Sequence, residues 1–365
     1  VGAELDDVIA DTNVLVFWAA GNDRDDGPDC PSGPRCDGPY GSISYVSTSK
    51  NLVSVCALND EDAMSSFSNW GPTLDGRVKP DLCANGVTLE STDLNNTYST
   101  SSGTSMASPS AAGTAALLSQ HFTTQNGSAP TPALLKTLMI HGARDLGNQG
   151  PDYSTGWGII DAVATHRMIS AGSHASGSVT SGQTLEYSLS HGGGALKATL
   201  GWTDPAGSPV ASLALVNDLD LELVSPSGTV YQSWILNPSL PSAAATRGNN
   251  RVDNVEQVLV NNAEPGEWTA RVTGFSVPLG PQDFSLVSDT LSTNSDLVSK
   301  TFTIFNDGGA PLAVNSIAPD YSASWITISP SAFVVDPGQS VLGNVSVEFQ
   351  QAPTTRTVLR LNVQS

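Results

Sequence analysis

Residues 102–113 are a run of small and hydroxylated residues around one proline, Ser-Gly-Thr-Ser-Met-Ala-Ser-Pro-Ser-Ala-Ala-Gly. Small residues continue to Ala116, so the run predicts a helix that its neighbours approach closely on most sides. Pro109 is compatible with that helix if it lies in the first turn. Ser105 is then placed where the helix begins, near unpaired backbone N–H groups and the positive end of the helix dipole. A hydroxyl there is either an N-cap or a nucleophile whose developing oxyanion meets backbone donors.

A second polar residue follows a predicted buried strand. Val14 to Ala19 is apolar, and Ala20-Gly21-Asn22 ends the run. In an α/β sheet, ligands meet the protein at the carboxyl ends of the strands. Small residues at that point would let a substrate backbone come close, and Asn22 could offer its side-chain amide. The alternative is an asparagine that only closes a turn.

Three segments carry a family resemblance. Residues 103–113 resemble the nucleophile motif of the subtilases, the subtilisin-like serine proteases, with seven of eleven positions specified. Residues 66–82 resemble a second long subtilase segment, and 156–161 resemble the turn that closes the catalytic domain. Two departures stand out: Asn69-Trp70 replaces a Ser-Arg type pair, and 84–86 read Ala-Asn-Gly where Ala-Pro-Gly is usual.

The resemblance implies an acyl-enzyme endopeptidase acting on polypeptide substrates. It implies that Ser105 is the nucleophile and that Asn22 donates to the oxyanion. The residues that it places beside the substrate are Ala19, Ala20, Gly21, Gly103 and Thr104.

The sequence offers no histidine and no aspartate at the positions where the subtilase triad needs them. All five histidines come after Ser105, whereas subtilases order their triad Asp, His, Ser. His141 is predicted at a helix C-terminus, where histidine commonly satisfies carbonyls. Asp11-Thr12-Asn13 only faintly resembles the family's Asp-Thr-Gly and is better explained as the last turn of a helix. We therefore expect a preceding segment, in the same or a separate chain, to carry Asp and His, and we expect this chain alone to be inactive.

Periodicity and resemblance together predict three domains. Helical signals are confined to the first 170 residues, which indicates one α/β part there. The resemblance implies that 1–172 are the C-terminal part of a subtilisin-like α/β domain, a partial parallel sheet with helices. From residue 176 the period changes to two, which is typical of a β-sandwich. Residues 173–292 resemble the jelly-roll domain that follows the catalytic domain in alkaline subtilases. Residues 293–365 resemble a small immunoglobulin-like module.

The net charge of the chain argues against one class of binding partner. Fifteen basic and thirty-five acidic residues give a formal net charge of −20, which speaks against nucleic acid. A lysine-poor acidic surface is typical of a secreted protein. No run of apolar residues is long enough to span a membrane.

One acidic strand is a candidate cation site. Asp218, Asp220 and Glu222 alternate along a predicted strand and so share one face. Such carboxylates are solvated, hydrogen-bonded or bound to a cation. Asp218 and Asp220 are the candidate ligands for a structural Ca²⁺.

The four cysteines leave the disulfide pattern partly open. Cys30 and Cys36 flank a short loop, and we expect them to be bridged. Cys56 and Cys83 each lie in an apolar segment, where they either pair or remain buried thiols.

Two function classes remain. The first is a secreted subtilisin-like serine endopeptidase represented by its serine half. The second is a non-catalytic pseudoprotease or adhesive protein in which the β domains bind a surface or a partner.

Overall fold

The computed structural model describes residues 2–24, 39–291, 297–319, 326–330, 332–348 and 361–364. Cys30, Cys36 and Trp325 lie outside the described residues. The chain forms two compact units, 1–291 and 292–365. The three-domain division at 172/173 and 292/293 stays a prediction.

A short parallel sheet lies at the centre of the first part of the chain. Its strands are β1 (Phe17–Ala19), β2 (Val53–Leu58) and β3 (Leu82–Asn85), in the order β1-β2-β3. Every residue of β2 is buried, as expected for the middle strand of a parallel sheet covered on both faces. The 156–161 segment continues the sheet beyond β3, because Cys83 N donates to Gly158 O at 2.9 Å and Ile160 N donates to Cys83 O at 3.0 Å.

Four helices pack on this sheet or beside it. Thr131 and Asp161 cap two of them, each accepting a hydrogen bond from the backbone N–H three residues on. The predicted helix after Ser105 is the longest, and Asp11 lies in the last turn of the first, as predicted. The helices are α1 (Gly2–Thr12), α2 (Thr104–Asn126), α3 (Pro132–Gly142) and α4 (Ala162–Ala171).

Pro109 departs from the expected first-turn position. It is the sixth residue of α2 and therefore lies in the second turn. Since proline has no N–H, the carbonyl of Ser105 receives no helical hydrogen bond from it. The helix continues nonetheless, with Ala107, Ala111 and Ala115 buried in the core.

The two cysteines in the parallel sheet are joined. Cys56 and Cys83 are direct neighbours on β2 and β3 and form a disulfide. The sequence left this pairing open, because nothing in it showed that the two strands are adjacent.

Residues 174–288 form two antiparallel four-stranded sheets around one core. Leu219, Leu221 and Leu223 alternate inward along one strand and pack with Trp268 and Phe284. The strand orders are β10-β9-β14-β7 and β13-β8-β15-β6. The strands are β6 (His174–Val179), β7 (Thr184–His191), β8 (Gly194–Gly201), β9 (Asp218–Val224), β10 (Val230–Gln232), β13 (Val255–Ala263), β14 (Gly266–Ser276) and β15 (Gln282–Ser288), with β11 (Trp234–Ile235) and β12 (Thr246–Arg247) paired separately. That these sheets form a jelly roll stays a prediction.

Buried charges lie within the parallel-sheet layer and between it and the antiparallel sheets. Lys50 is fully buried, and its ammonium lies 2.8 Å from a carboxylate oxygen of Asp204. Lys136 on α3 lies 2.8 Å from Asp81, which also contacts Lys79. Burial alone would raise the pKa of Asp81, but the two ammonium groups outweigh it and hold that pKa below its usual value.

The second unit is entirely β in its described residues. β16 (Leu297–Phe305), β21 (Ser340–Glu348) and β19 (Ile326–Ser329) form one antiparallel sheet. The immunoglobulin-like assignment stays a prediction. The remaining strands of the second unit pair as β17 (Leu312–Val314) with β20 (Phe333–Val335) and β18 (Ser316–Pro319) with β22 (Leu361–Gln364). In the first unit, β4 (Leu89–Asp93) forms a hairpin with β5 (Thr97–Ser101). Among the described residues, none of the helices has the length and apolar character needed to cross a bilayer.

Candidate active site

The end of β1 is tightly held by internal hydrogen bonds. The carbonyl of Ala19 accepts from Ser47 Oγ at 2.9 Å, and the carbonyl of Ala20 accepts from Ser44 N at 3.0 Å. The Gly21 carbonyl accepts a further bond, at 2.9 Å. These three carbonyls are thus already engaged, and Ala20 is fully buried, so only Ala19 and Gly21 of this segment keep surface that a substrate could pack against.

Asn22, directly after this segment, faces the start of α2. Its Oδ1 accepts two hydrogen bonds from Thr104, one from the backbone N and one from Oγ1, both at 2.8 Å. Gly21 N donates to the same Thr104 hydroxyl at 3.2 Å. Because Oδ1 is occupied, the amide nitrogen Nδ2 is the part of Asn22 that remains for another acceptor.

Ser105 lies next to this amide. It is the second residue of α2 and is exposed, whereas Thr104 before it is fully buried. Gly103 separates the two donors: a Cβ built on it would stand 3.6 Å from Ser105 N and 3.7 Å from Asn22 Nδ2. Met106 Sδ lies at the same 3.6 Å, so the two N–H donors and this sulfur surround one small space next to Gly103.

Gly86 sets the position of this helix start. Its carbonyl accepts from Gly103 N at 2.8 Å, and its own N donates to Leu58 O at 2.9 Å. A Cβ on Gly86 would lie 2.8 Å from the Ala57 Cβ and 3.0 Å from the Ala107 Cβ. Only glycine allows this approach. The unusual Ala-Asn-Gly sequence at 84–86 thus keeps the glycine that the geometry requires.

Comparison with known proteins supports the subtilase resemblance of this part of the chain. The sequence profile of the Subtilase family (peptidase S8) matches residues 3–158. The minor extracellular protease Epr of Bacillus subtilis is 32% identical over 151 residues, covering 41% of this chain and 20% of Epr. Residues 3–158 belong to the subtilase family.

Other relatives match longer or shorter parts of the chain. The serine protease/ABC transporter B family protein tagB of Dictyostelium discoideum is 29% identical over 307 residues, covering 62% of this chain and 16% of tagB. The chain thus spans less than a fifth of that relative's length. Among solved structures, the patellamide maturation protease PatA is 21% identical, with 46% of this chain and 56% of PatA covered and a TM-score of 0.38.

Three histidines, His121, His166 and His141, make contacts with residues other than Ser105. His121 stacks on His166, with ring centroids 4.0 Å apart. His141 Nδ1 lies 2.9 Å from Thr199 Oγ1 on β8, and burial lowers the pKa of His141 to about 4. Within the described residues, Ser105 Oγ has no hydrogen bond to a histidine or a carboxylate.

The predicted calcium ligands contact a cation of the protein itself. The guanidinium of Arg251 lies 2.5 Å from Asp220 and 3.2 Å from Asp218. In the described residues there is no group of three or more His, Cys, Asp or Glu side chains arranged to hold a metal ion. Calcium at Asp218 and Asp220 stays a prediction, and it would require Arg251 to move away.

In the sequence, Asn69 stands out only as a departure from the family pattern. In the structure Asn69 is fully buried and makes hydrogen bonds to the residues on both sides of Asn22. An asparagine that departs from the family pattern inside an otherwise matching segment is the sequence signal that could have identified it.

Proposed function

We propose that this chain carries the serine part of the active site of a secreted serine endopeptidase. The observation that supports the proposal best is the pair of N–H donors, Ser105 N and Asn22 Nδ2, flanking one space beside an exposed serine hydroxyl. Such preorganised donors stabilise the negative oxygen of a tetrahedral intermediate.

The chemistry is acyl transfer. Ser105 Oγ attacks the carbonyl carbon of a peptide bond, and the carbonyl oxygen takes up the negative charge between the two donors. The C–N bond then breaks, the amine leaves with a proton, and the acyl group remains on Ser105 until water hydrolyses the ester. The proton of Oγ passes to a base, and the base returns a proton to the leaving amine.

In our proposal, this base comes from outside residues 1–365. Every histidine of the sequence follows Ser105, and the structure places His141 against Thr199 of the antiparallel sheets. A preceding segment, on the same or a separate polypeptide, therefore supplies His and Asp. Without that segment the chain is inactive.

Three observations support an extracellular location. The Cys56–Cys83 disulfide is typical of oxidising compartments. The net charge of −20 favours solubility and disfavours nucleic acid. One matched relative is named an extracellular protease. The proposed chemistry uses no cofactor, and any calcium would be structural.

Labelling by a fluorophosphonate tests the proposal. The full-length protein should be labelled at Ser105 and should cleave casein, whereas Ser105→Ala should lose both properties and Ser110→Ala, on the same helix, should keep them. The chain of 365 residues alone should show neither. A folded full-length protein that is not labelled and does not cleave casein would instead favour the non-catalytic alternative.

A further inference from the structure

We propose that Asn69 is a positioning residue for the oxyanion donor Asn22. The inference rests on the proposed function and adds a residue to its site. Asn69 does not touch the substrate space; it acts through the backbone that carries Asn22.

Asn69 binds the chain on both sides of Asn22. Its backbone N donates to the Gly21 carbonyl at 2.9 Å, and its Oδ1 accepts from Asp23 N at 2.8 Å. The residues immediately before and after Asn22 are thus both tied to one side chain and its own peptide group. The backbone of Asn22 is thus held on both sides, and its side chain extends to Thr104 at the start of α2.

The remaining polar group of Asn69 anchors it to a third segment. Its Nδ2 donates to the Ser42 carbonyl at 2.7 Å. Ser42 is in turn held to Trp70, through Ser42 N to Trp70 O at 2.9 Å and Trp70 N to Ser42 Oγ at 3.0 Å. Hydrogen bonds to Ser42 therefore hold the Asn69 side chain in the position from which it binds the backbone next to Asn22.

Close packing makes this arrangement specific. A Cβ on Gly21, whose φ is +113°, would overlap with Asn69 Nδ2, so the turn packs directly against the amide. Serine is too short to replace both side-chain bonds. Aspartate keeps an acceptor for Asp23 N but places a second carboxylate oxygen against the Ser42 carbonyl. An apolar residue leaves buried polar groups unpaired.

Two residues then hold the donor in different ways. Thr104 orients the Asn22 carboxamide, and Asn69 locates the backbone from which it projects. A displacement of about 1 Å in a catalytic group can lower the rate by about 10²-fold. Loss of Asn69 should therefore lower kcat rather than raise KM.

A double-mutant cycle in the full-length protein tests this role. Asn22→Ala should lower kcat by about 10²–10³-fold. Asn69→Ala should lower kcat by about 10–100-fold with little change in KM. In the Asn22→Ala background, Asn69→Ala should change kcat by no more than about twofold, because the group that it positions is gone. Losses that multiply in the double variant would overturn the proposal, as would a wild-type kcat for Asn69→Ala.

Asn217→Ala is the matched control. Asn217 is also fully buried and also bridges backbone groups, donating to the Leu279 carbonyl at 2.7 Å and accepting from Leu279 N at 3.1 Å, but it lies among the antiparallel sheets. It should lower the midpoint of thermal unfolding without changing kcat.

A second variant covers the case in which Asn69→Ala does not fold. The isosteric Asn69→Asp should show the same loss of kcat and the same lack of additivity with Asn22→Ala. The outcomes also separate the two proposals. If Ser105→Ala and Asn22→Ala leave activity unchanged, the proposed function fails; if they abolish or lower it while Asn69 acts independently, only the positioning role fails.

Discussion

Thr104 directs both of its hydrogen-bond donors to one atom of Asn22. The backbone N and Oγ1 of Thr104 each lie 2.8 Å from Asn22 Oδ1. The two residues are 82 positions apart in the chain, so the contact joins the end of β1 to the start of α2. It fixes which end of the carboxamide is the acceptor and leaves Nδ2 beside Ser105.

Removing the Thr104 hydroxyl should loosen this contact. Thr104→Val keeps the side-chain shape but removes one donor to Asn22 and the acceptor of Gly21 N. In the full-length protein we expect a roughly 10-fold loss of kcat, smaller than the loss on deleting a donor outright. Thr123→Val, at an exposed position on the same helix, should leave kcat at the wild-type value. Equal kcat values for the two variants would contradict this role of Thr104.

A methyl group on Gly103 should block the space between the two donors. The Cβ of Gly103→Ala would stand 3.6 Å from Ser105 N and 3.7 Å from Asn22 Nδ2, between the two proposed donors. We expect kcat/KM to fall by at least about 10²-fold. Gly113→Ala is the control, since its Cβ meets nothing within 4 Å and should stabilise α2 by about 0.5–1 kcal/mol. Substantial activity in a folded Gly103→Ala protein would rule out an oxyanion site at this position.

Breaking the Lys50–Asp204 pair should strongly destabilise the first unit. Both side chains are buried, and Lys50 also donates to the Pro205 carbonyl at 2.7 Å. Lys50→Met leaves the Asp204 charge buried without its partner, and we expect the free energy of unfolding in urea to fall by about 3–5 kcal/mol. Arg144→Met removes the exposed pair with Asp62 and should cost no more than about 1 kcal/mol. Equal costs would show that burial does not decide the strength of these pairs.

His141 should make stability depend on pH. Burial lowers the pKa of His141 to about 4 in the folded protein, against about 6.5 when unfolded. The unfolded state therefore binds the proton first, and stability falls as the pH drops from about 6.5 to 4. The difference of about 2.5 pKa units corresponds to about 3 kcal/mol.

Urea unfolding of the wild type and of His141→Gln at a series of pH values measures this effect. Subtracting the two curves removes the acid sensitivity that both proteins share through their carboxylates. The curves should run parallel above pH 7 and converge or cross below it. A constant difference down to pH 4 would contradict the assigned burial effect.

Several features of this protein could be predicted from the sequence alone. The small-residue run predicted a helix that begins at Ser105, and the apolar segment before Asn22 predicted a strand that ends there. Alternation along the predicted strand Val216 to Val224 placed Asp218, Asp220 and Glu222 on one face, and Leu219, Leu221 and Leu223 between them are buried. These predictions succeed because they depend on local periodicity and on a long family motif.

Only the tertiary structure decided which distant groups meet. Asn22 and Thr104, Cys56 and Cys83, Asp218 and Arg251, and Asn69 and Gly21 are pairs separated by 27 to 82 residues. Each forms because the sheet or a loop brings two segments together, and a buried polar group must then find a partner within about 3 Å. The sequence determined which residue types are available for hydrogen bonding and for the proposed acyl transfer. Tertiary packing determined which of them hold the proposed oxyanion donor Asn22 in place.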